Sequence, residues 1–381
     1  MIRPLTTGRS RSVSILPPDY RFCPYCATPI SDRIEEGRTR QYCKHCDRKF
    51  FPVAGNAVAG VAVRNHRVLM AQRNREPYIG TWMFPAGFVE YGEDLLEALP
   101  REFKEETGLS ISNAKLIDIM QSRDDLRSPG HFVTFYEVDV KGKVVNNDLE
   151  ENRRIEWFPI MRPPEIGFRT HRSIMVTLQA KMKEMPDLSS CAFFGVDLQN
   201  CFGHKKGGLY VKGSEKIIPA CNRLIDAAAY WAKLTIFSLD WHPVDSDHFK
   251  KWPPHGIADT WDSQFLKSLI VPDYSKIVRK ATKKNEDGYD PFEGKSSSGE
   301  TTNKILKKHG IKSIVFFGIA TDYCVKAGVL SALKNGYRAY IVTDASIAVN
   351  VNPDDEIKAI NEMVDAGAIP ITVEEVLAWA E

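Results

Sequence analysis

Three side chains capable of nucleophilic chemistry stand at the ends of apolar runs in the second half of the sequence. Asp197 closes CAFFGVD, Lys280 closes SKIVRK, and Cys324 follows SIVFFGIATDY where a helix is expected to begin. A thiol at a helix N-terminus has its thiolate stabilised by the dipole and by backbone donors. A neighbouring ammonium adds to that, and an Asp can shuttle the proton. Between Asp197 and Lys280, the segment DWHPVDSDHFKKWPPHG carries Asp240, His242, His248 and His255. An Asp with two or three His suits Zn²⁺, Fe²⁺ or Mn²⁺, with coordination positions left for water or a ring nitrogen. Earlier in the chain, Glu102, Glu105 and Glu106 stand at i, i+3 and i+4, one face of a helix. Such hard oxygen ligands suit Mg²⁺ or Mn²⁺ bridging a diphosphate. Finally, Cys23 with Cys26 and Cys43 with Cys46 form two CxxC pairs separated by 16 residues. Four thiolates at that spacing close a tetrahedron around Zn²⁺ and leave no open position, so the expected role is structural. The remaining thiols, Cys191, Cys201 and Cys221, read as core or pocket lining.

The elements that must position these groups follow from hydrophobic period. AVAGVAV (57–63) and RVLMAQR (67–73), interrupted by Arg64, Asn65 and His66, predict a hairpin in a mixed sheet. The helix bearing the three Glu has Leu96, Leu99 and Phe103 as an apolar stripe to anchor it on that sheet. Pro100 lies inside it and should kink it, because proline lacks a donor and clashes with the preceding turn. A kink that turned Glu105 and Glu106 from Glu102 would leave a nucleotide sensor in place of a hydrolase. A further helix is expected near 170–185, with Ile174 and Leu178 at i and i+4. Beyond Asp187, continuous apolar strands alternate with amphipathic helices, which predicts a doubly wound parallel sheet covered on both faces, with sites at the carboxyl ends of its strands. The expected organisation is multidomain α/β: a segment and small zinc ribbon over 1–50, a mixed-sheet α/β/α domain over 51–165, a helix or linker over 166–186 and the parallel-sheet domain over 187–381.

Residues 87–109, GFVEYGEDLLEALPREFKEETGL, match the Nudix box position by position, and residues 51–165 resemble a Nudix hydrolase. The resemblance implies cleavage of a nucleoside diphosphate linked to another moiety. Glu102, Glu105 and Glu106 would be metal ligands, with one of them or a nearby Glu positioning water. Arg101 and Glu93 would hold loop and helix together, with Gly87 and Gly108 as the glycines of the box. A ribbon followed directly by a Nudix domain also resembles the NADH pyrophosphatase family, which includes enzymes that remove NAD caps from RNA. That family's SQPWPFPxS stretch is missing here, and Tyr136 and Arg123 are candidates for substrate selection.

VDLQNCF, DWHP, WPPHG, VRKATK and GIATDYCV together resemble nicotinamidases of the isochorismatase-like hydrolase family over residues 190–381. By that likeness Asp197 is the general base, Lys280 assists thiolate formation and Cys324 attacks the carboxamide. Asp240, His242 and His255 become metal ligands with His248 as a fourth candidate, and the metal binds the pyridine nitrogen. Phe202 and Trp252 hold the ring, and the backbone N–H groups of Ala320 and Cys324 form an oxyanion hole beside an expected cis Ala320–Thr321 peptide. The family's WPxHC reads WPPHG here, with Gly256 in the Cys position. Isochorismatases share the fold without the metal cluster, so these ligands favour nicotinamide.

Bulk composition limits the alternatives. With 51 Lys plus Arg against 49 Asp plus Glu, the net charge is +2, so nucleic acid and anionic membranes are not demanded. The absence of an 18-residue apolar run, and a start without an apolar h-region, predict a cytoplasmic protein. Expected partners are the small molecules nicotinamide and ADP-ribose or NAD(H), with a homo-oligomer compatible. The combined expectation is a bifunctional enzyme of NAD metabolism: nicotinamide to nicotinate and ammonia, and ADP-ribose to AMP and ribose 5-phosphate. NADH, NAD, NAD-capped RNA or a nucleotide-sensing role stand as alternatives for the Nudix part.

Overall fold

Short strands with tight turns open the chain. β1 (Ser31–Glu35), β2 (Arg38–Cys43) and β3 (Arg48–Phe50) form an antiparallel sheet in that order. Glu36 and Gly37, both with positive φ, make the two-residue turn between β1 and β2. A computed structural model describes residues 20–51, 54–125, 128 and 130–380. The basic N-terminal segment considered for targeting lies outside them. The chain divides into two units, Met1–Phe158 with Pro163–Val176, and Pro159–Arg162 with Thr177–Glu381.

In the first unit, β4 (Asn56–Arg64) and β5 (Arg67–Arg73) form the expected hairpin, turning on Asn65 and His66, again both at positive φ. β6 (Trp82–Met83) and β7 (Ala86–Phe88) pair with β5 and β4, and α1 (Leu95–Thr107) follows. Next come β8 (Ser110–Gln121), β9 (Phe132–Lys141) and β10 (Asn152–Pro159). The main order is β10-β5-β4-β9-β8; β4 runs parallel to β9 while β8 runs antiparallel to it, so the sheet is mixed as the sequence predicts. The expected helix near 170–185 is α2 (Arg169–Lys183), which crosses the division between the units at Val176 and buries Ile174 and Leu178.

Helix α1 starts at a capping box, with Asp94 accepting from Leu96 N and Glu97 N and Glu97 accepting from Asp94 N, and ends at Gly108 in the left-handed region. It is continuous through Pro100, where the sequence predicts a kink. Leu99 and Phe103 are buried against the sheet, with Gly60 of β4 leaving room for the Phe103 ring. Leu96 of the expected stripe is 57% exposed, whereas Ala98, which lies outside that stripe, is buried.

The second unit holds β11 (Cys191–Val196), α3 (Asn200–Gly203), α4 (Ile218–Trp231), β12 (Leu234–Asp240), β13 (Lys276–Lys280), α5 (Thr302–Lys308), β14 (Ser313–Ile319), α6 (Lys326–Lys334), β15 (Arg338–Ile347), α7 (Asp355–Ala366), β16 (Ile369–Ile371) and α8 (Val373–Leu377). The six strands are parallel in the order β13-β12-β11-β14-β15-β16. Successive strand residues point to opposite faces. Phe193, Val315 and Phe317 accordingly pack with Leu224 of α4 and Val376 of α8. Phe194, Ile314 and Phe316 pack with Leu306 of α5, Val329 of α6 and Met363 of α7. Burial on both faces is why these strands read as continuous apolar runs. The order reverses between β11 and β14, which opens a crevice at their carboxyl ends. Among the described residues no helix is long and apolar enough to cross a membrane.

Phe103→Ala removes a buried ring from the α1–sheet contact and should cost about 3–5 kcal/mol. In urea, the transition of the first unit should move to lower denaturant while that of the parallel-sheet unit keeps its midpoint.

Candidate active sites

Asp197 immediately follows β11, Lys280 ends β13, and Cys324 lies in a π-helical turn (Thr321–Val325) between β14 and α6. The crevice at the strand reversal brings them together. Lys280 Nζ is 2.8 Å from Asp197 Oδ2 and 3.6 Å from Cys324 Sγ, and it also bonds Asp240 Oδ1 and the Gly288 carbonyl. Ser238 Oγ donates to Asp197 Oδ1 at 2.8 Å. Asp197 and Lys280 are fully buried, and Cys324 is 8% exposed.

Burial sets the protonation order. It raises Asp197 above the usual carboxylate range despite the pull of Lys280. Burial likewise pushes the Cys324 thiol well above its usual value, with Lys280 opposing. Burial works against the Lys280 charge as well, but Asp197 and Asp240 outweigh it and hold the ammonium protonated. Asp240 is buried too, yet Lys280 and His242 keep it well below the ordinary range. The permanent ion pair is therefore Lys280 with Asp240, and Asp197 is the carboxylate with affinity to spare for a proton.

The other oxygen of Asp240 faces the imidazoles, 3.6 Å from His242 Nε2 and 3.7 Å from His255 Nε2. One ring nitrogen each of His242, His248 and His255 falls within 4.8 Å of the others. Every Nδ1 is engaged: His242 with Ser246 Oγ at 3.3 Å, His248 with Asp287 Oδ1 at 3.1 Å and His255 with Pro253 O at 2.7 Å. His242 Nε2 is buried without a hydrogen-bond partner. Buried imidazoles held through one nitrogen, with the other turned to a shared point beside a carboxylate, fit a transition-metal ion. His248 belongs to this set as firmly as the other two.

Beside the thiol lies a cavity of about 40 Å³ lined by Phe202, Trp252, His248, His255, Ala320 and Cys324, with Tyr289 and Tyr323 completing its aromatic wall. Trp252 Nε1 donates to Tyr289 Oη at 2.9 Å, and Phe202 lies 5.3 Å from the His255 ring. Sequence reading missed both tyrosines and Gln199. Gln199 clamps Asp240 by donating to its carbonyl at 2.9 Å and accepting from its N–H at 2.8 Å. Its place inside VDLQNCF was the available signal. The cis peptide is Ile319–Ala320, one bond earlier than expected. Gly256 has φ +53°, and a Cβ there would lie 3.1 Å from Asp240 Cβ. Cys191, Cys201 and Cys221 are core residues, as expected.

In the first unit, Arg101 organises the acidic helix. Its guanidinium clasps Glu93 at 2.8 and 2.7 Å, and reaches Glu102 at 2.8 Å, Glu105 at 3.2 Å and the Phe88 carbonyl at 3.2 Å. The Arg101 hydrogen bonds hold Glu93 down to about 2. Gly87 is required because a Cβ would collide with the Glu102 carboxylate. Glu106 is buried and accepts from Ala86 N at 3.1 Å. Glu102 and Glu106 thus both face β7, and Glu105 is exposed. The three carboxylates do not converge on one point as the imidazoles do, because Arg101 holds Glu102 and Glu105 while Ala86 holds Glu106. Burial beside Glu102 raises the Glu106 carboxyl to about 8. A buried carboxyl of high proton affinity, next to a cavity of about 250 Å³ lined by Glu90, Glu102, Asp125 and Glu151, fits a hard dication.

Arg73 and His171 line that cavity as well and carried no sequence signal beyond their places in a strand and a helix. Burial and the nearby Arg73 charge press His171 down to about 3, so its neutral ring accepts from Phe84 N at 3.1 Å. Of the residues weighed for substrate selection, Tyr136 packs in the core, and Arg123 lines a separate shallow cavity with Arg169. At the N-terminal sheet, Cys23, Cys26, Cys43 and Cys46 place their sulfurs within 4.8 Å of one another, which fits the tetrahedral Zn²⁺ site that the spacing predicts.

Comparison with known proteins agrees with these two architectures. The isochorismatase domain family matches residues 191–375, and the NUDIX domain family matches residues 54–177. A nicotinamidase of Escherichia coli strain K12 is 31% identical over 208 residues, covering 49% of this chain and 95% of the relative. The chain belongs to the isochorismatase family through its second unit and carries a Nudix domain in its first; it is a bifunctional hydrolase. An NAD-capped RNA hydrolase of Klebsiella pneumoniae is 25% identical over 162 residues, covering 41% of this chain and 60% of that relative. Among solved structures, a pyrazinamidase of Pyrococcus horikoshii in complex with zinc is 33% identical, with 48% of this chain and 99% of that one covered and a TM-score of 0.44.

Because Glu106 must lose its proton to ligate, Mg²⁺ affinity should rise about tenfold per pH unit up to about pH 8 and level off above it. Titration calorimetry at pH 6.5, 7.5 and 8.5 would show this as proton release on binding; Glu106→Gln should abolish the pH dependence.

Proposed function

We propose that the second unit hydrolyses nicotinamide to nicotinate and ammonia, and that the first cleaves ADP-ribose to AMP and ribose 5-phosphate. The observation that carries the first half is the buried Asp197–Lys280–Cys324 cluster at the wall of a small aromatic cavity beside three imidazoles.

Asp197 takes the Cys324 proton as the sulfur attacks the carboxamide carbon, and Lys280 stabilises the thiolate character. The Ala320 and Cys324 N–H groups receive the tetrahedral oxyanion. Collapse of that intermediate breaks the C–N bond, and Asp197 returns its proton to the departing ammonia. Water then cleaves the thioester with Asp197 again as base, giving nicotinate and the free thiol. Phe202 and Trp252 sandwich the pyridine ring. Asp240, His242, His248 and His255 would hold a Zn²⁺, Fe²⁺ or Mn²⁺ ion, which when bound supplies a Lewis acid for the ring nitrogen.

In the first unit, Glu102, Glu105 and Glu106 would hold Mg²⁺ or Mn²⁺, which neutralises diphosphate charge. Arg101 positions the carboxylates through Glu93, and a nearby Glu orients the attacking water. ADP-ribose is favoured because cleavage of the glycosidic bond of NAD yields nicotinamide and ADP-ribose together, and each unit would consume one product. NADH, NAD or NAD-capped RNA is the second reading for the Nudix unit, supported by its likeness to an NAD-capped RNA hydrolase. The continuous α1, with Glu102 and Glu106 both directed to β7, favours hydrolysis over nucleotide sensing.

With Mg²⁺ and an equimolar mixture of ADP-ribose and NADH, mass spectrometry should detect ribose 5-phosphate first; reduced mononucleotide appearing first would assign the Nudix unit to dinucleotides. Cys324→Ala should lower ammonia release from nicotinamide by more than about 10³-fold while leaving diphosphate cleavage intact, and Glu106→Gln should do the reverse. Loss of both activities in either variant would contradict independent sites.

A further inference from the structure

Seven of the residues from Tyr20 to Phe51 are Lys or Arg against four Asp or Glu, in a chain whose net charge is only +2. The strand register concentrates part of that charge on one face. Arg33 lies opposite Arg40, Glu35 opposite Arg38, and Lys49 opposite Tyr42. Directly opposed residues share a face of an antiparallel sheet, as do alternate residues of one strand. Arg33, Arg38, Arg40 and Lys49 therefore surround Tyr42 on one surface, with two carboxylates among them: Glu35, and Asp47, which accepts from the Tyr42 hydroxyl. Cys43 belongs to the opposite face and is buried in the thiol cluster.

The basic face is open. Arg33, Arg38 and Lys49 are exposed, and Arg40 and Tyr42 are half-buried. Glu35 binds Arg33 at 3.2 Å and Lys49 at 2.7 Å. The guanidinium of Arg33 lies 5.3 Å from the Tyr42 ring centre, and that of Arg40 lies 5.1 Å from the centre of Phe51, whose ring is 58% exposed. Four cations against two carboxylates leave a net positive face, and a thiol cluster on the other side of the sheet has no structural need of them together. A track of cations with aromatic rings among them is what a single nucleic acid strand requires: charge for the phosphates and π-faces for unstacked bases.

We infer that this face of the N-terminal sheet binds single-stranded nucleic acid, with Arg38 and Arg40 on the phosphates and Tyr42 and Phe51 stacking on bases. The inference stands whichever diphosphate the Nudix unit cleaves.

The test uses the zinc-loaded full chain and fluorescence anisotropy with a labelled 12-nucleotide RNA that cannot self-pair, its duplex, and poly-glutamate as a plain polyanion. The single strand should bind most tightly, and its affinity should fall about 20- to 50-fold between 50 and 200 mM KCl, the loss for three to four neutralised phosphates. Arg38→Gln with Arg40→Gln should weaken binding and flatten the salt slope by about 1.4. Tyr42→Leu should weaken the single strand about 5-fold or more with little effect on the duplex. Glu35→Gln, which removes one of the two carboxylates from the face, should tighten binding, a gain that loss of folding cannot mimic. Zinc content and ammonia release should be unchanged in all variants. Affinities unmoved by the arginine and Glu35 changes would overturn the proposal, as would duplex or poly-glutamate binding as tightly as the single strand.

Discussion

A lysine ammonium buried in a protein interior costs several kcal/mol unless carboxylates meet it, and the crevice at the strand reversal is organised around that requirement at Lys280. Two carboxylates are present, and they divide the work. Asp240 carries the lasting negative charge, while burial leaves Asp197 with raised proton affinity. Asp240 also faces the imidazoles with its second oxygen, so one side chain links the nucleophile cluster to the candidate metal site. Gln199 holds the backbone of that residue from both sides. Displacing Asp240 would therefore disturb the ammonium and the imidazoles at once.

The parallel sheet makes this arrangement affordable in structural terms. Its strand order reverses between β11 and β14, which leaves Asp197 and the Cys324 turn on either side of one crevice, and β13 delivers Lys280 from two strands away. Aromatic side chains from separate segments, Phe202, Trp252, Tyr289 and Tyr323, then wall the cavity beside Cys324. The Nudix unit solves a different problem with the same physics. Arg101 balances Glu93, Glu102 and Glu105, while Glu106 stays buried with a raised proton affinity and so remains a strong ligand for a cation.

The likeness to nicotinamidases and to an NAD-capped RNA hydrolase falls on different units of one chain. A fusion of this kind joins two different hydrolase domains in one chain. The basic face of the N-terminal sheet adds a third surface, which whole-chain charge conceals because the remaining residues nearly cancel.

Short-range spacing determined much of this protein. The paired CxxC motifs, the Nudix box and the strand-end Asp197, Lys280 and Cys324 are legible because each is a pattern that local geometry or a strand terminus imposes. The hairpin at Asn65 and His66 and the two-faced parallel sheet are legible for the same reason, since burial writes its period into the sequence. Other features needed tertiary structure. Leu96 fits the apolar stripe but lies at its exposed edge, and Pro100 is absorbed within a helix held by a capping box, an Arg101 clasp and Phe103 packing. Tyr289, Arg73 and His171 reach their cavities from distant segments, so no spacing marks them, whereas Tyr323 stands beside Cys324 in GIATDYCV. The sharing of Asp240 between an ammonium and two imidazoles, and the gathering of four cations on one sheet face, depend on which strands pair and in what register, and long-range pairing decides that.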